Sequence, residues 1–190
     1  MTYKISPKLT NRQIEFIKGT ILGGSSIVQP SKGKNCYLSM RDKDVKWLEF
    51  KASEVMNINS TKSMLYGKTS RWHSICYPIF NEFKNMFYKG NKRFLNIEYL
   101  DQLKDIALTI WYGDCGNICK NQVILNTHVW GSQGTEIIRE YFSCLGYKVE
   151  IFRTRQNWRI KLDAESSDHF LHLVSPHLPL SGRPKDNRPI

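Results

Sequence analysis

A chain of 190 residues suffices for one domain with a real core, or for two small fused halves of similar fold. Its hydrophobic fraction of 41% and aromatic fraction of 12% are ordinary for a globular protein, but 28 Lys and Arg against 17 Asp and Glu give a formal charge of +11. That excess predicts an anionic partner, nucleic acid ahead of membrane surface. No stretch approaches the ~18 apolar residues of a membrane span, and Met1 to Lys8 lacks the apolar core of a signal peptide. The five Cys are odd in number and show no framework spacing, which predicts free thiols, a reducing intracellular compartment and no secretion.

Thr10-Asn11-Arg12-Gln13 has the form of a capping box and predicts a helix running to Leu22. Ile14, Ile17, Ile21 and Leu22 form its apolar stripe, with Gly19 and Gly23 beside it as small residues that admit a second helix. Residues 26–41 read as a hairpin around Pro30 to Lys34. Asp42 or Asp44 caps the next helix, on which Val45, Leu48 and Val55 recur at near-helical spacing. Strand-like pieces follow at 61–66 and 70–76, then a helix from Pro78 to Tyr88 with Ile79, Phe83, Met86 and Phe87 inward. Gly90-Asn91-Lys92-Arg93 is a polar break. It divides the chain into halves 1–92 and 93–180, with a basic tail at 181–190 expected to be loose.

The second half repeats the order. A helix is predicted from Glu98 to Tyr112, strands around 122–130, a helix over 134–145 ending at Gly146, a hairpin of 147–154 and 157–162, and a helix from Ala164 to Val174 ahead of Pro176. Two blocks mark the repeat: Phe16 to Ile27 and Ile106 to Ile118, each an apolar run ending in Gly and small or acidic residues before a strand.

These blocks resemble the paired motifs of the LAGLIDADG homing endonucleases, and residues 93–118, 123–146 and 157–179 follow one branch of that family in order. The resemblance implies an α+β fold of two pseudo-symmetric halves, each a four-stranded antiparallel sheet with helices on one face. It implies a monomer that lays both sheets along one long, asymmetric double-stranded DNA site and cleaves it with Mg²⁺, using the last acid of each motif.

Alternation along the strands supplies the candidate DNA contacts. Asn35, Tyr37, Ser39 and Arg41 alternate with Cys36, Leu38 and Met40; Asn157, Arg159 and Lys161 alternate with Trp158, Ile160 and Leu162. Asn126 and His128 share the polar side of 123–129, and Arg71 lies on 70–76. Lys32 and Lys34 occupy one hairpin tip, Arg153 and Arg155 another, where phosphates or outer bases would lie. Such side chains pair with guanine, adenine and phosphate.

The motif-end acids are missing from the positions that the resemblance implies, where Gly24 and Cys115 stand. Two-metal hydrolysis needs carboxylates to hold its ions, and Mg²⁺ prefers oxygen ligands. Asp114, one residue early, is the remaining candidate for a catalytic metal ligand. Two readings stay open: a nuclease holding metal on Asp114, or an inactive nucleic-acid binder such as an intron RNA maturase or a DNA-binding regulator. A zinc site on Cys115 and Cys119 lacks two ligands beyond His128, and His169 with His172 lacks the glutamate of a metalloprotease helix.

Overall fold

A computed structural model of the chain describes residues 8–55, 58–65, 68–155, 157–179 and 185–186. Helix α1 (Asn11–Leu22) opens on the expected capping box: Thr10 Oγ1 accepts from Gln13 N, and Gln13 Oε1 accepts from Thr10 N. Strands β1 (Ser26–Val28) and β2 (Tyr37–Asp42) form the predicted hairpin. Asp44, the second of the two expected caps, accepts from Trp47 N at 3.2 Å to start α2 (Val45–Glu54). Then come β3 (Asn59–Leu65), β4 (Ser70–Ser74) and α3 (Ile79–Phe87). The first sheet runs β1-β2-β4-β3, with α2 and α3 packed on one face.

The polar break is itself a minute hairpin, β5 (Tyr88–Lys89) and β6 (Lys92–Arg93). The second half contains α4 (Ile97–Leu100), α5 (Asp105–Cys115), β7 (Gly116–Cys119), β8 (Gln122–Asn126), α6 (Gly131–Cys144), β9 (Val149–Thr154), β10 (Asn157–Leu162) and α7 (Ala164–Val174). With a short β11 (Lys185–Asp186) at one edge, its sheet runs β11-β7-β8-β10-β9, with α6 and α7 on one face. The expected four strands thus gain a fifth, β11, paired in parallel with Asn117 and Ile118. The rest of 181–190 lies outside the described residues.

Two predicted elements differ. The single helix expected from Glu98 is broken between α4 and α5, where the backbone N–H of Lys104, at the start of α5, donates to Glu15 Oε2 of α1 at 2.9 Å. A carboxylate from one half therefore caps the motif helix of the other. The strand expected through 130 stops at Asn126, and His128–Trp130 make a single 3₁₀ turn. That turn buries Trp130, whose Nε1 donates to the Leu22 carbonyl at 3.1 Å across the junction of the halves. Between β7 and β8, Lys120 and Asn121 both have positive φ, the conformation of a tight two-residue hairpin loop.

The core is continuous through both halves, from Phe16, Ile17 and Ile21 to Trp111, Tyr112 and Phe170. At its centre α1 and α5 touch backbone to backbone. A Cβ on Gly19 would run into the Ala107 carbonyl oxygen and lie 2.9 Å from Ala107 Cα. In an open helix Gly→Ala gains about 1 kcal/mol; here overpacking should reverse the sign. Gly19→Ala is expected to destabilise the protein by about 1–3 kcal/mol, seen as a lowered midpoint in a thermal melt followed by circular dichroism.

Candidate functional site

The two motif blocks end side by side. Gly24 follows the C-terminus of α1, and Cys115 is the last residue of α5. The helix ends are so close that a Cβ on Gly23 would overlap the Asp114 side chain. Gly24 has φ +118°, a conformation that side chains with a Cβ rarely adopt, and no atom lies within 4 Å of where its Cβ would be.

Asp114 points into the protein. Its Oδ1 accepts from Trp47 Nε1 and from Lys51 Nζ, each at 2.6 Å, and its Oδ2 accepts from Thr20 Oγ1 at 3.1 Å. The Lys51 and Asp114 side chains are 1% and 4% exposed, so this is a buried ion pair joining α2 of the first half to α5 of the second. Cys115 offers no charge either. Burial, and then the adjacent Asp114 carboxylate, push its thiol well above the ordinary cysteine range, so it stays protonated.

Arg93 closes the end of α1. Its Nη1 donates to the Ile21 carbonyl at 3.1 Å, and its Nη2 donates to the carbonyls of Gly24 and Ser25 at 3.0 and 2.7 Å. The guanidinium lies over the rings of Trp130 and Tyr88, 5.2 and 5.6 Å from their centroids. A helix C-terminus is the negative end of its dipole, and a cation there is favourable. Two side-chain cations, Lys51 and Arg93, thus satisfy the negative groups at the motif ends. Among the described residues no group of three or more His, Cys, Asp or Glu could hold a metal ion. The residues present do not fit a divalent ion: one end has no side chain, one carries a neutral thiol, and the nearby carboxylate is already neutralised.

The sheet faces away from the helices hold many of the predicted contact residues. Tyr37, Ser39 and Arg41 lie on that face of β2, and Arg71 on that of β4, directly opposite Arg41. On the second sheet Asn126, Arg159 and Phe152 form one row, and Ile124, Lys161 and Glu150 the next. Lys32, Lys34 and Arg155 are exposed on connections, Arg155 at φ +57° in the turn after β9, and Asn157 is exposed opposite Thr154. Others are already engaged. Asn35 Oδ1 accepts from Asn81 Nδ2 at 3.3 Å, Lys161 pairs with Glu150 at 3.0 Å, and Arg153 shares the face of Trp158, stacked 4.5 Å from its ring centroid. His128 is exposed but stands on the 3₁₀ turn, off the strand on which it was expected.

His73 is a residue the sequence reading passed over. It sits beside Arg71 on β4 and meets Tyr37 edge-on at 5.5 Å. Burial, then the charges of Arg41 and Arg71, lower its proton affinity. Two-residue alternation from Arg71 would have found it. Lys51 also left a trace: it follows Leu48 by three residues and precedes Val55 by four, on the apolar stripe of α2. Arg93 left none, because its role depends on the fold of the distant α1.

Removing one partner of a buried ion pair strands the other, at a cost of about 3–5 kcal/mol. Lys51→Met is expected to lose stability of that order in denaturant unfolding, and adding Asp114→Asn should recover much of it. In the folded protein, iodoacetamide at about pH 8 should label the exposed Cys144 and spare Cys115, since the thiolate is the nucleophile. Peptide mass spectrometry reads both sites.

Solved structures share this fold. The homing endonuclease I-WcaI, bound to its DNA recognition sequence, matches with a TM-score of 0.85 and 17% identity, over 93% of this chain and 86% of its own. I-DmoI in complex with DNA and Mn matches with a TM-score of 0.59 and 14% identity, over 86% of this chain and 97% of its own. The N-terminal LAGLIDADG domain of DUF199/WhiA matches at 0.54 and 8% identity, over 90% and 85%. No curated protein sequence matches. The signature of the LAGLIDADG DNA endonuclease family, however, matches residues 14–170, most of the chain, and this protein belongs to that family.

Proposed function

We propose that this protein, as a single chain, recognises a long asymmetric site in double-stranded DNA by laying its two unlike sheet faces along the duplex, and that it does so without metal-dependent cleavage. The observation that carries this reading is the pair of sheets in one chain, each with helices on one face and polar side chains on the other. A β-ribbon fits the major groove, where Arg pairs with guanine and Asn with adenine. The formal charge of +11 supplies the sequence-independent attraction. Among relatives of this fold, I-WcaI is described bound to its DNA recognition sequence. Because the two sheet faces carry unlike side chains, Tyr37 and His73 on the first and Asn157 and Lys161 on the second, a non-palindromic site is expected.

The cofactor of such a protein would be Mg²⁺ if it cut; I-DmoI structures are described with DNA and Mn or Ca, and one variant with Mg. Nothing at the motif ends of this chain favours that chemistry. Gly24 supplies no ligand, Cys115 remains a thiol, and Asp114 is held by Lys51, Trp47 and Thr20. The bare scaffold therefore supports reading DNA more than cutting it.

Incubation with a randomised duplex library in Mg²⁺ or Mn²⁺, with bound fragments and new ends sequenced together, tests both halves of the proposal. Enriched asymmetric sites without central breaks are the expected outcome. Breaks at the centre of enriched sites would overturn the loss of cleavage. Preference for a structured intron RNA over every duplex would overturn the DNA reading.

A further inference from the structure

The pairing register aligns the two sheets residue by residue and shows what surrounds the motif ends. In the first sheet Ser26 lies opposite Ser39, and Ser39 opposite His73. In the second, Asn117 lies opposite Ile124, and Ile124 opposite Lys161. In the second sheet the register leads from Gly116 opposite Leu125 to Cys115 beside Asn126, which faces Arg159; in the first, Arg41 lies two residues past Ser39, the partner of Ser26, in the direction of the α1 end, and faces Arg71. A contact confirms the second row: Asn126 Nδ2 donates to the Cys115 carbonyl at 2.9 Å. Arg41–Arg71 and Asn126–Arg159 are thus rows placed alike, each on the side of its sheet that leads to the motif end.

These rows hold three guanidinium groups and no carboxylate. Arg41 and Arg71 are exposed, directly opposite, and make no ion pair with the described residues. Like charges across a strand pair destabilise a sheet, and residues 56–67, whose strand β3 borders β4, contain no Asp or Glu to offset them. Arg159 is half-buried, and its Nε is a buried donor without a hydrogen-bond partner. Unpaired buried donors are costly and call for a ligand. His73 lies in the next row, its proton affinity lowered by burial first and then by the charges of Arg41 and Arg71.

We propose that these rows are a metal-free seat for DNA backbone phosphates at the junction of the halves, with Arg41, Arg71 and Arg159 taking phosphate oxygens directly. The inference rests on the DNA reading above and adds where and how the backbone is held. Guanidinium matches phosphate with paired N–H donors and needs no bridging ion. A divalent cation is repelled by the same groups. Motif ends without acids and with surplus guanidinium beside them suit anions and not cations.

The test measures affinity for the library-selected duplex, or for a random-sequence duplex if none is enriched, against salt. It is run with Mg²⁺ and with EDTA at matched ionic strength, and melts verify that each variant is folded. Wild-type affinity is expected to be the same in both. Arg71→Gln and Arg159→Gln should each weaken binding and reduce the slope of log K on log salt by about 1. Arg139→Gln, on α6 and paired with Glu136, should leave the slope unchanged. A tenfold loss in EDTA, or unchanged slopes in both row variants while the wild type binds, overturns the seat alone. Failure of the wild type to bind any duplex overturns the DNA reading and the seat together.

Discussion

Everything in this protein hangs on the contact between α1 and α5. Two helices can meet backbone to backbone only where side chains are absent or no larger than a methyl, and Gly19 against Ala107 meets that condition. The approach then dictates its neighbours. Glu15 of α1 reaches the start of α5, and Asp114 at the end of α5 reaches Thr20. The helices are tied at both ends, so the halves sit at one separation and one angle. Two sheets that read a single duplex need that rigidity, because their spacing must match the groove.

Close approach also crowds charge. Asp114 cannot leave the contact, and burying a lone carboxylate would cost several kcal/mol. Lys51 from α2 compensates at 2.6 Å, with Trp47 on the same oxygen. Arg93 does the corresponding work at the end of α1, where it meets the carbonyls of Ile21, Gly24 and Ser25 at once. Side-chain cations built into the fold thus balance the negative groups beside Gly24 and Cys115. The packing role of the motif is carried by glycines and apolar residues, at positions other than its last.

Much of the fold was legible because its signals are local. A capping box opens α1, Asp44 caps α2, and Ala164 to Val174 ends before Pro176, as their spacing predicts. Alternation placed Leu38 and Met40 inside and Arg41 outside. The misreadings share a cause. The break before α5 follows from a hydrogen bond to Glu15, and the early end of β8 follows from burying Trp130 against Leu22. Both partners lie in the other half of the sequence, beyond the reach of periodicity.

The candidate site divides in the same way. The sequence alone determined the repeat, the basic surplus and the lack of an acid at Gly24 and Cys115, because residue identity suffices for these. Only the tertiary structure decided what Asp114 does, since a carboxylate with an open face and one locked to lysine are the same letter. Only strand register could set Arg41 beside Arg71 and Asn126 beside Arg159. The physical reason is range: caps and alternation act over a few residues, while the charge balance at the junction is struck between groups as far apart as Lys51 and Asp114, which meet only after the chain has folded.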